Sequence, residues 1–167
     1  WIVGHRAAPQ MQTLLAAAMP RLARLCSQTQ DTIYLAVASG LDVVFVARFD
    51  GDVPARASIE PGSRHPLVLG CSGMAWLAAL EASDSASALD KLAGRMKALG
   101  IDRTAFARVL EQTKRWGFAF TTGSRLFGVP ALGMAVRDPS GSPIACVTVS
   151  ANADRFTPGH VDRTLPL

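Results

Sequence analysis

Residues 131–151, ALGMAVRDPSGSPIACVTVSA, constrain the fold most strongly, because two alternating runs flank a single turn. Asp138-Pro139-Ser140-Gly141 has Pro in second and Gly in fourth place, as a type I turn favours. On both sides of this turn, apolar residues alternate with small or hydroxyl-bearing residues. The pattern predicts a β-hairpin with one apolar face and one face of small and hydroxyl side chains.

The register of this hairpin decides which side chains share a face. A simple two-residue loop places Leu132 opposite Val147 and Met134 opposite Ala145. The second face then carries Ala131, Gly133, Cys146, Thr148 and Ser150. A one-residue bulge at Gly141 would slip the register and exchange the two faces. In the first register, the small side chains leave space above the sheet, and the hydroxyl groups make that space polar. Alternatively, this face of the hairpin is a polar surface turned to solvent.

Length and composition favour a single soluble domain. The 167 residues can bury a real core, and 49% hydrophobic with 18% charged residues is typical of a well-packed chain. No apolar run approaches the length of a membrane span, and no secretory signal opens the chain. Because the sequence begins at Trp1 without a methionine, we expect it to be a piece of a longer protein.

Cysteine number and charge bear on the compartment and the partners. Cys26, Cys71 and Cys146 are widely separated and odd in number, which favours free thiols in the reducing cytoplasm. The formal charge of +4 raises the possibility of nucleic-acid binding. The basic residues are scattered singly, however, without interleaved aromatic residues, so we predict no nucleic-acid surface on this chain.

The first part of the chain predicts a helix followed by a hairpin. Apolar residues at helical spacing indicate a helix over about residues 8–29, which Pro20 should kink or split. Residues 32–39 and 43–50 are rich in β-branched and aromatic residues and are joined by a short link, as in a hairpin. Residues 56–59 are a candidate third strand, followed by a loop over residues 60–69.

The second part predicts three helices and then strands. Ser72 is the expected N-cap of a helix that reaches about Glu81, and residues 85–99 form the next helix. Asp102 and Gly117 bound a third helix over residues 103–116. Residues 118–122 and the hairpin follow as strands, and Thr157-Pro158 opens a last helix. This order predicts an α+β fold with helices covering an antiparallel sheet.

Metal and nucleotide sites find no support in the sequence. His5, His65 and His160 stand alone, and no two Cys or His fall at ligand spacing. Dinucleotide and phosphate-loop patterns are also missing. We therefore predict neither a metal nor a cofactor.

Gly70-Cys71-Ser72-Gly73, at the start of a predicted helix, has two functional interpretations. It is similar to a nucleophile elbow, but Met74 stands where that pattern requires Gly, and no matching base is evident. Alternatively, small residues at a helix start expose N–H groups that an anion can approach, here at Cys71 and Ser72. A simple N-cap beside a buried thiol explains the segment equally well.

Several blocks of the sequence occur in the same order in a known family. Residues 62–67 and 73–78 are similar to its Gly-x-Arg-x-Pro-Leu and Gly-Lys-x-x-Leu-Ala stretches. Gly117-Phe118 and the segment up to Ser124 are similar to its Gly-aromatic pair with Asp-x-Glu-Glu beyond it. Residues 138–150 are similar to its closing Asp-x-x-Gly-x-x-x-Ala-x-Ser-x-Ser. Residues 1–4 resemble the family's short linking strand. Over essentially its whole length, the chain thus resembles the effector-binding domain of the IclR family of bacterial transcriptional regulators.

This resemblance implies a GAF-like α+β fold, with an antiparallel sheet flanked by helices, and residues 1–167 as the effector-binding domain. An N-terminal winged helix-turn-helix domain, absent from this chain, would bind DNA. The resemblance further implies a cytoplasmic regulator that is not an enzyme, does not associate with a membrane and forms homodimers or homotetramers. Its effector would be a small organic acid.

The resemblance also assigns pocket positions. The anion-facing turn falls on Cys71 and Ser72, and the two strand serines fall on Thr148 and Ser150, with Ala131 opposite Thr148 in the unbulged hairpin. An acidic family residue falls on Thr121, and a family cysteine falls on Ala131. Ring or chain contacts are expected from Phe45, Pro54, Ala57, Leu67, Val129 and Ala131.

Departures from the family pattern shape the expected ligand. Met74 replaces a frequent Lys, Thr121 an Asp, Gly123-Ser124 a Glu pair and Ala131 the Cys. The pocket should therefore be less acidic and more apolar, which favours a small aromatic or partly apolar carboxylic acid.

Buried hydroxyls without partners cost about 1–3 kcal/mol each, so a covered hydroxyl face is expected to need water or ligand atoms.

Two other functions compete with effector binding. One is a small hydrolase that uses Ser72 or Cys71 as its nucleophile. The other is a ligand-free structural domain that only supports oligomerisation.

Overall fold

Six strands and five helices make up the part of the chain that the computed structural model describes, residues 4–52, 59–123 and 129–167, with side chains from residue 9 onward. The helices are α1 (Gly4–Thr29), α2 (Gly70–Ala79), α3 (Ala82–Ala98), α4 (Arg103–Trp116) and α5 (Pro158–Thr164). The strands are β1 (Thr32–Ser39), β2 (Asp42–Phe49), β3 (Arg64–Pro66), β4 (Ala119–Thr121), β5 (Ala131–Arg137) and β6 (Pro143–Ser150). They form one antiparallel sheet in the order β3-β2-β1-β6-β5-β4.

Helices cover both faces of this sheet. Successive side chains of a strand point to opposite faces, and both faces carry large apolar residues that need cover. Ile33 and Leu35 of β1 point to one face, where they pack with Leu22 and Cys26 of α1. Tyr34 points to the other face, which α2, α3 and α4 cover. The α+β fold predicted from the sequence is therefore confirmed, with α1 on one side and the other long helices opposite.

Helix α1 is longer and more continuous than predicted. It starts at Gly4 and runs without a break through Pro9 and Pro20. Proline removes one backbone N–H from the helix, but Pro20 lies on the exposed side of α1, where water can satisfy the carbonyl that loses its partner. Of the two predicted outcomes at Pro20, a kink or a split, the split is wrong because α1 is continuous.

The third strand lies elsewhere than predicted. Arg64–Pro66 pairs with the start of β2 inside the expected loop, and Ile59 is not in a strand. The remaining positions of the predicted strand, residues 56–58, lie outside the described residues. β3 has three residues, too few for an alternating pattern to reveal a strand.

Helix boundaries set by capping residues agree with the sequence. Asp102 accepts a hydrogen bond from the Ala105 N–H at 2.6 Å, and Gly117 ends α4 with φ of 77°. Thr157 caps α5 by accepting from the N–H of His160. Ser72, in contrast, is not an N-cap: α2 starts at Gly70 after Leu69, without a side-chain cap. The helix α3 starts three residues earlier than predicted.

The hairpin of β5 and β6 has the predicted faces but a different pairing. Ala131 pairs with Ser150 and Gly133 with Thr148, two residues away from the predicted partners. A bulge between Val136 and Arg137 and a longer loop absorb the difference. A shift by two residues keeps every side chain on its face, since strand side chains alternate with a period of two.

Candidate ligand-binding site

A cavity of about 40 Å³ lies between the sheet and the first turn of α2. It brings together eight residues predicted from the sequence: Phe45, Cys71, Ser72, Thr121, Val129, Ala131, Thr148 and Ser150. Leu67 does not line it, because its side chain is buried in the core beneath α2. Pro54 and Ala57 lie outside the described residues.

Five further residues line the cavity and were not predicted: Tyr34, Ile59, His65, Leu69 and Gly70. Tyr34 pairs with Thr148 across β1 and β6, so its position follows from the strand order rather than from any local motif. His65 sits on β3, a strand that the sequence did not reveal. The motif stretch around residues 62–67 was the available signal for His65, which lies within it.

Two glycines allow α2 to lie directly on its neighbours. A Cβ atom at Gly133 of β5 would lie 2.8 Å from the Cys71 Cβ and 2.9 Å from its backbone. A Cβ at Gly73 would lie 2.1 Å from the Leu67 carbonyl oxygen. The first turn of α2 is therefore fixed against β5 at the edge of the cavity. Its leading N–H groups have no partner within the helix and carry the positive end of the helix dipole.

The buried hydroxyls of the cavity are hydrogen-bonded within the protein. The Ser72 and Thr148 hydroxyl oxygens lie 2.8 Å apart, and Ser150 donates to the Pro130 carbonyl at 3.0 Å. Thr121 accepts from the N–H of Gly123 at 3.3 Å. The expectation that a covered Thr148 and Ser150 face needs water or ligand atoms is therefore wrong, since α2 and the segment before β5 supply the partners.

The hydroxyl pair still offers one donor to a third group. Each hydroxyl carries a single proton, and the bond between Ser72 and Thr148 uses one of the two. The other proton is available to an acceptor in the cavity. Ser150 differs, because its proton is already directed at Pro130 and only its lone pairs remain.

Titratable groups in the described lining are kept in their uncharged forms. Burial raises the pKa of the Cys71 thiol to about 12 and also raises the pKa of Tyr34. Burial lowers the pKa of His65 below its ordinary value of 6.5. Near neutral pH the described side chains around the cavity are thus neutral, and the helix dipole is the main electrostatic feature.

The geometry does not favour Cys71 or Ser72 as a nucleophile. A thiol with a pKa of about 12 is almost entirely protonated at neutral pH. Cys71 donates its proton to the Ala131 carbonyl at 3.2 Å, and the side-chain partner of Ser72 is a hydroxyl rather than a base. An activated nucleophile needs a base within hydrogen-bond reach.

A separate polar cluster fastens the end of α1 to the C-terminal segment. Asp31 is fully buried, and one of its carboxylate oxygens accepts from Arg155 at 3.0 Å. The other oxygen lies 2.5 Å from Nε2 of His160. Arg155 also donates to the Thr29 carbonyl. Among the described residues, no group of His, Cys, Asp and Glu side chains could hold a metal ion.

The family model described as bacterial transcriptional regulator IclR C-terminal matches residues 7–166, and the chain belongs to this family. The HTH-type transcriptional repressor AllR of Klebsiella pneumoniae is 25% identical over 147 residues, which cover 87% of this chain and 54% of that protein. AllR of Escherichia coli K12 is 24% identical over 146 residues, with 86% and 54% covered. The chain thus spans about half the length of these curated relatives, which are transcriptional regulators.

Solved structures share the fold. The Thermotoga maritima IclR structure has a TM-score of 0.80 at 20% identity, covering 91% of this chain and 62% of that one. The C-terminal domain of the E. coli transcriptional regulator KdgR has a TM-score of 0.74 at 20% identity, covering 92% and 90%. The resemblance predicted from the sequence is therefore confirmed. Within the described ranges, no helix combines the length and apolarity that crossing a membrane requires.

Proposed function

We propose that residues 1–167 form a cytoplasmic effector-binding domain whose cavity takes a small organic acid. The observation that carries this proposal is the convergence of the first turn of α2, the Ser72 and Thr148 hydroxyls and apolar strand residues on one covered space. Binding pockets for small molecules are mostly apolar with a few placed polar groups. The transcriptional regulators among its relatives support a role in controlling transcription.

The acid group would lie against the first turn of α2. Backbone N–H groups at a helix start, together with the helix dipole, favour a carboxylate there. The spare proton of the Ser72 and Thr148 pair supplies a further donor. The non-polar part of the acid would contact Phe45, Val129 and Ala131, which line the same cavity.

The volume of the cavity limits the size of this acid. One water molecule needs about 10–15 Å³ of such volume, so about 40 Å³ admits roughly three water-sized groups. An acid at the small end of the aliphatic series is therefore favoured over an aromatic acid. A ring would enter only if the lining moves apart.

A thermal-shift series tests the proposal on the isolated chain. Acetate, propionate, pyruvate and benzoate are compared with propionamide and benzamide, which have the same shapes without the charge. A ligand at about 100 times its Kd stabilises by about 2.7 kcal/mol, which raises the Tm of a domain this size by roughly 5–10 °C. We expect the short acids to raise the Tm and the amides to leave it unchanged. A Tm that none of the acids changes would contradict effector binding by this class of ligand.

The link to DNA belongs to the full-length protein. We infer that a helix-turn-helix domain outside this chain binds the operator and that α1 connects it to the effector domain. In a gel-shift assay, a short acid should change the operator affinity of the full-length protein, whereas the isolated chain should show no sequence-specific binding. If bound acid leaves the operator affinity unchanged, the domain binds the ligand without regulating DNA binding.

Self-association is the second part of the proposal. Met134 and Ile144 expose 45% and 39% of their surface on the hairpin of β5 and β6. Two exposed apolar side chains do not make a contiguous patch, so this part of the proposal rests on the family to which the chain belongs. We expect homodimers or homotetramers by light scattering, and a strictly monomeric chain at about 100 µM would count against this part.

A further inference from the structure

His65 holds a defined place beside the first turn of α2. It lies on β3, paired with Val43 of β2, and its ring meets the Phe45 ring edge-on with 5.2 Å between the centroids. The side chain is half-buried and lines the same cavity as Cys71 and Ser72. An imidazole at this position can reach a ligand that also contacts the helix start.

Among the described lining residues, His65 is the side chain that can gain a positive charge near neutral pH. Tyr34 and Cys71 are the other titratable groups there, and the pKa of each is raised by burial. Both therefore stay neutral up to high pH. Neither can supply a cation in any case, since their ionised forms are anions.

Charged groups on the elements around His65 are engaged with one another. The ion pairs are Asp42 of β2 with Arg64 and with Arg95 of α3, and Arg48 of β2 with Asp50 and with Glu60. Arg48 also lies over the Tyr34 ring, 5.9 Å from its centroid. Burial is the cause that lowers the pKa of His65.

We propose that His65 is the cationic partner of the bound acid, so that a carboxylate entering the cavity is accompanied by a proton taken up from solvent at the imidazole. This inference rests on the proposed function and adds the regulation of the same site. The step is a proton transfer: the buffer acid loses one proton, an N–H bond forms at an imidazole nitrogen, and the carboxylate stays ionised. The site then selects an anion over a neutral analogue of equal shape.

The sign of the pH dependence follows from burial and charge. In the free domain, burial disfavours the cation and lowers the pKa of His65. A carboxylate in the same cavity brings an opposite charge close to the ring and raises this pKa. Affinity for the acid therefore increases as pH falls through the interval between the bound and the free pKa, by at most about tenfold per pH unit. Above the bound pKa this contribution is lost.

Calorimetry in paired buffers measures the proposed proton uptake. Propionate is titrated into the domain at pH 7.0 in phosphate and in Tris, whose ionisation enthalpies differ strongly, with pyruvate and benzoate as further probes. We expect the apparent binding enthalpy to differ between the buffers by an amount that corresponds to uptake of a substantial fraction of one proton. In His65→Gln the buffer dependence should disappear, and the affinity should become nearly independent of pH between 6 and 8.

Proton NMR provides a measurement that does not depend on a variant. The sequence has three histidines, His5, His65 and His160, so their ring resonances are few enough to follow. We expect propionate to raise the pKa of one histidine, assigned to His65 by the through-space contact of its ring with the Phe45 ring, while propionamide leaves it unchanged. If His65→Gln does not fold, the comparison of acid and amide on the natural chain still decides the matter.

The possible results distinguish a failure of the role proposed for His65 from a failure of the proposed effector binding. Acid binding without proton uptake, or equal uptake in His65→Gln, overturns the role of His65 and leaves effector binding intact. Absence of binding by all three acids and of any thermal shift overturns the proposed function itself. Uptake that vanishes in the variant, with weaker residual binding of propionate, supports both.

Discussion

The hydroxyl oxygens of Ser72 and Thr148 lie 2.8 Å apart, so a single hydrogen bond ties the first turn of α2 to β6 beside the cavity. Both side chains are buried, and each satisfies the other in the absence of a ligand. One of their two protons remains for a third acceptor. The same pair therefore holds the domain together and offers a donor to an acid.

Removing either hydroxyl should lower the stability of the domain. Thr148→Val leaves the Ser72 hydroxyl buried without its partner, and Ser72→Ala does the reverse. We expect each variant to lose about 1–3 kcal/mol of unfolding free energy in urea denaturation. The double variant should lose little more than either single one, because no unsatisfied hydroxyl of the pair remains. Strictly additive losses would show that the two hydroxyls are not coupled.

The same variants should weaken acid binding more than Ser150→Ala does. Ser150 already donates its proton to Pro130, so a carboxylate gains little from its hydroxyl. We expect the propionate-induced rise in Tm to shrink strongly in Thr148→Val and only slightly in Ser150→Ala. The two thermal shifts are measured relative to the unliganded Tm of each variant. A larger loss in Ser150→Ala would place the acid nearer to the end of β6 than to the first turn of α2.

Gly133 should be required for the position of α2. A methyl group there would lie 2.8 Å from the Cys71 Cβ. Because this distance is too short, the backbones of β5 and α2 cannot both stay in place. We expect Gly133→Ala to cost about 1–3 kcal/mol of stability and to abolish the acid-induced thermal shift. Gly94→Ala is the matched control, since Gly94 faces open space on α3 and the change should stabilise that helix by about 0.5–1 kcal/mol. Equal stability of both variants would contradict the close packing of α2 on β5.

Much of the fold follows from local patterns. The bounds of α4 come from the Asp102 cap and from Gly117, and both depend only on a few neighbouring residues. Alternation assigned Ala131, Thr148 and Ser150 to one face correctly. It could not fix their partners, since a two-residue shift preserves the faces. The loop decides the pairing through the Asp138 carboxylate, which accepts from the N–H groups of Ser140 and Ser142.

The candidate site was less predictable because it depends on strand order. Tyr34 reaches the cavity only because β1 lies between β2 and β6. His65 reaches it through a three-residue edge strand that carries no clear periodicity. Serine is a residue type that favours N-cap positions, yet the Ser72 hydroxyl is hydrogen-bonded to Thr148, which lies far away in the sequence. Contacts between distant segments of this kind leave no mark in a local pattern.

His65 should make the free domain less stable in mild acid. Its pKa is lowered by burial, so the unfolded chain binds the proton more readily than the folded chain below pH 6.5. Stability contributed by the neutral imidazole is present above pH 6.5 and falls as pH decreases toward the lowered pKa. The difference in unfolding free energy between the natural chain and His65→Gln should therefore change between pH 7.5 and 5.5. A constant difference would show that burial does not shift this group.

Asp31 should be a large contributor to stability. Its carboxylate is fully buried between Arg155 and His160, so Asp31→Asn leaves Arg155 without its counter-charge. Breaking such a pair from one side costs about 3 kcal/mol or more. Asp90→Asn is the control, because the pair of Asp90 with Arg103 is exposed and should contribute less than about 1 kcal/mol. Urea denaturation of the two variants measures the contrast, and similar losses would contradict the role of burial.

The cysteines should be inert in the folded domain. Cys26, Cys71 and Cys146 are buried free thiols, and burial raises the pKa of Cys71 and of Cys146 to about 12. At pH 8 only about one in ten thousand such groups is a thiolate, the form that reacts. Ellman's reagent should therefore label none of them in the native protein on a scale of minutes, and all three in urea. Rapid native labelling that is lost in Cys71→Ser would show an activated thiol in the cavity, and would favour the hydrolase over the sensor.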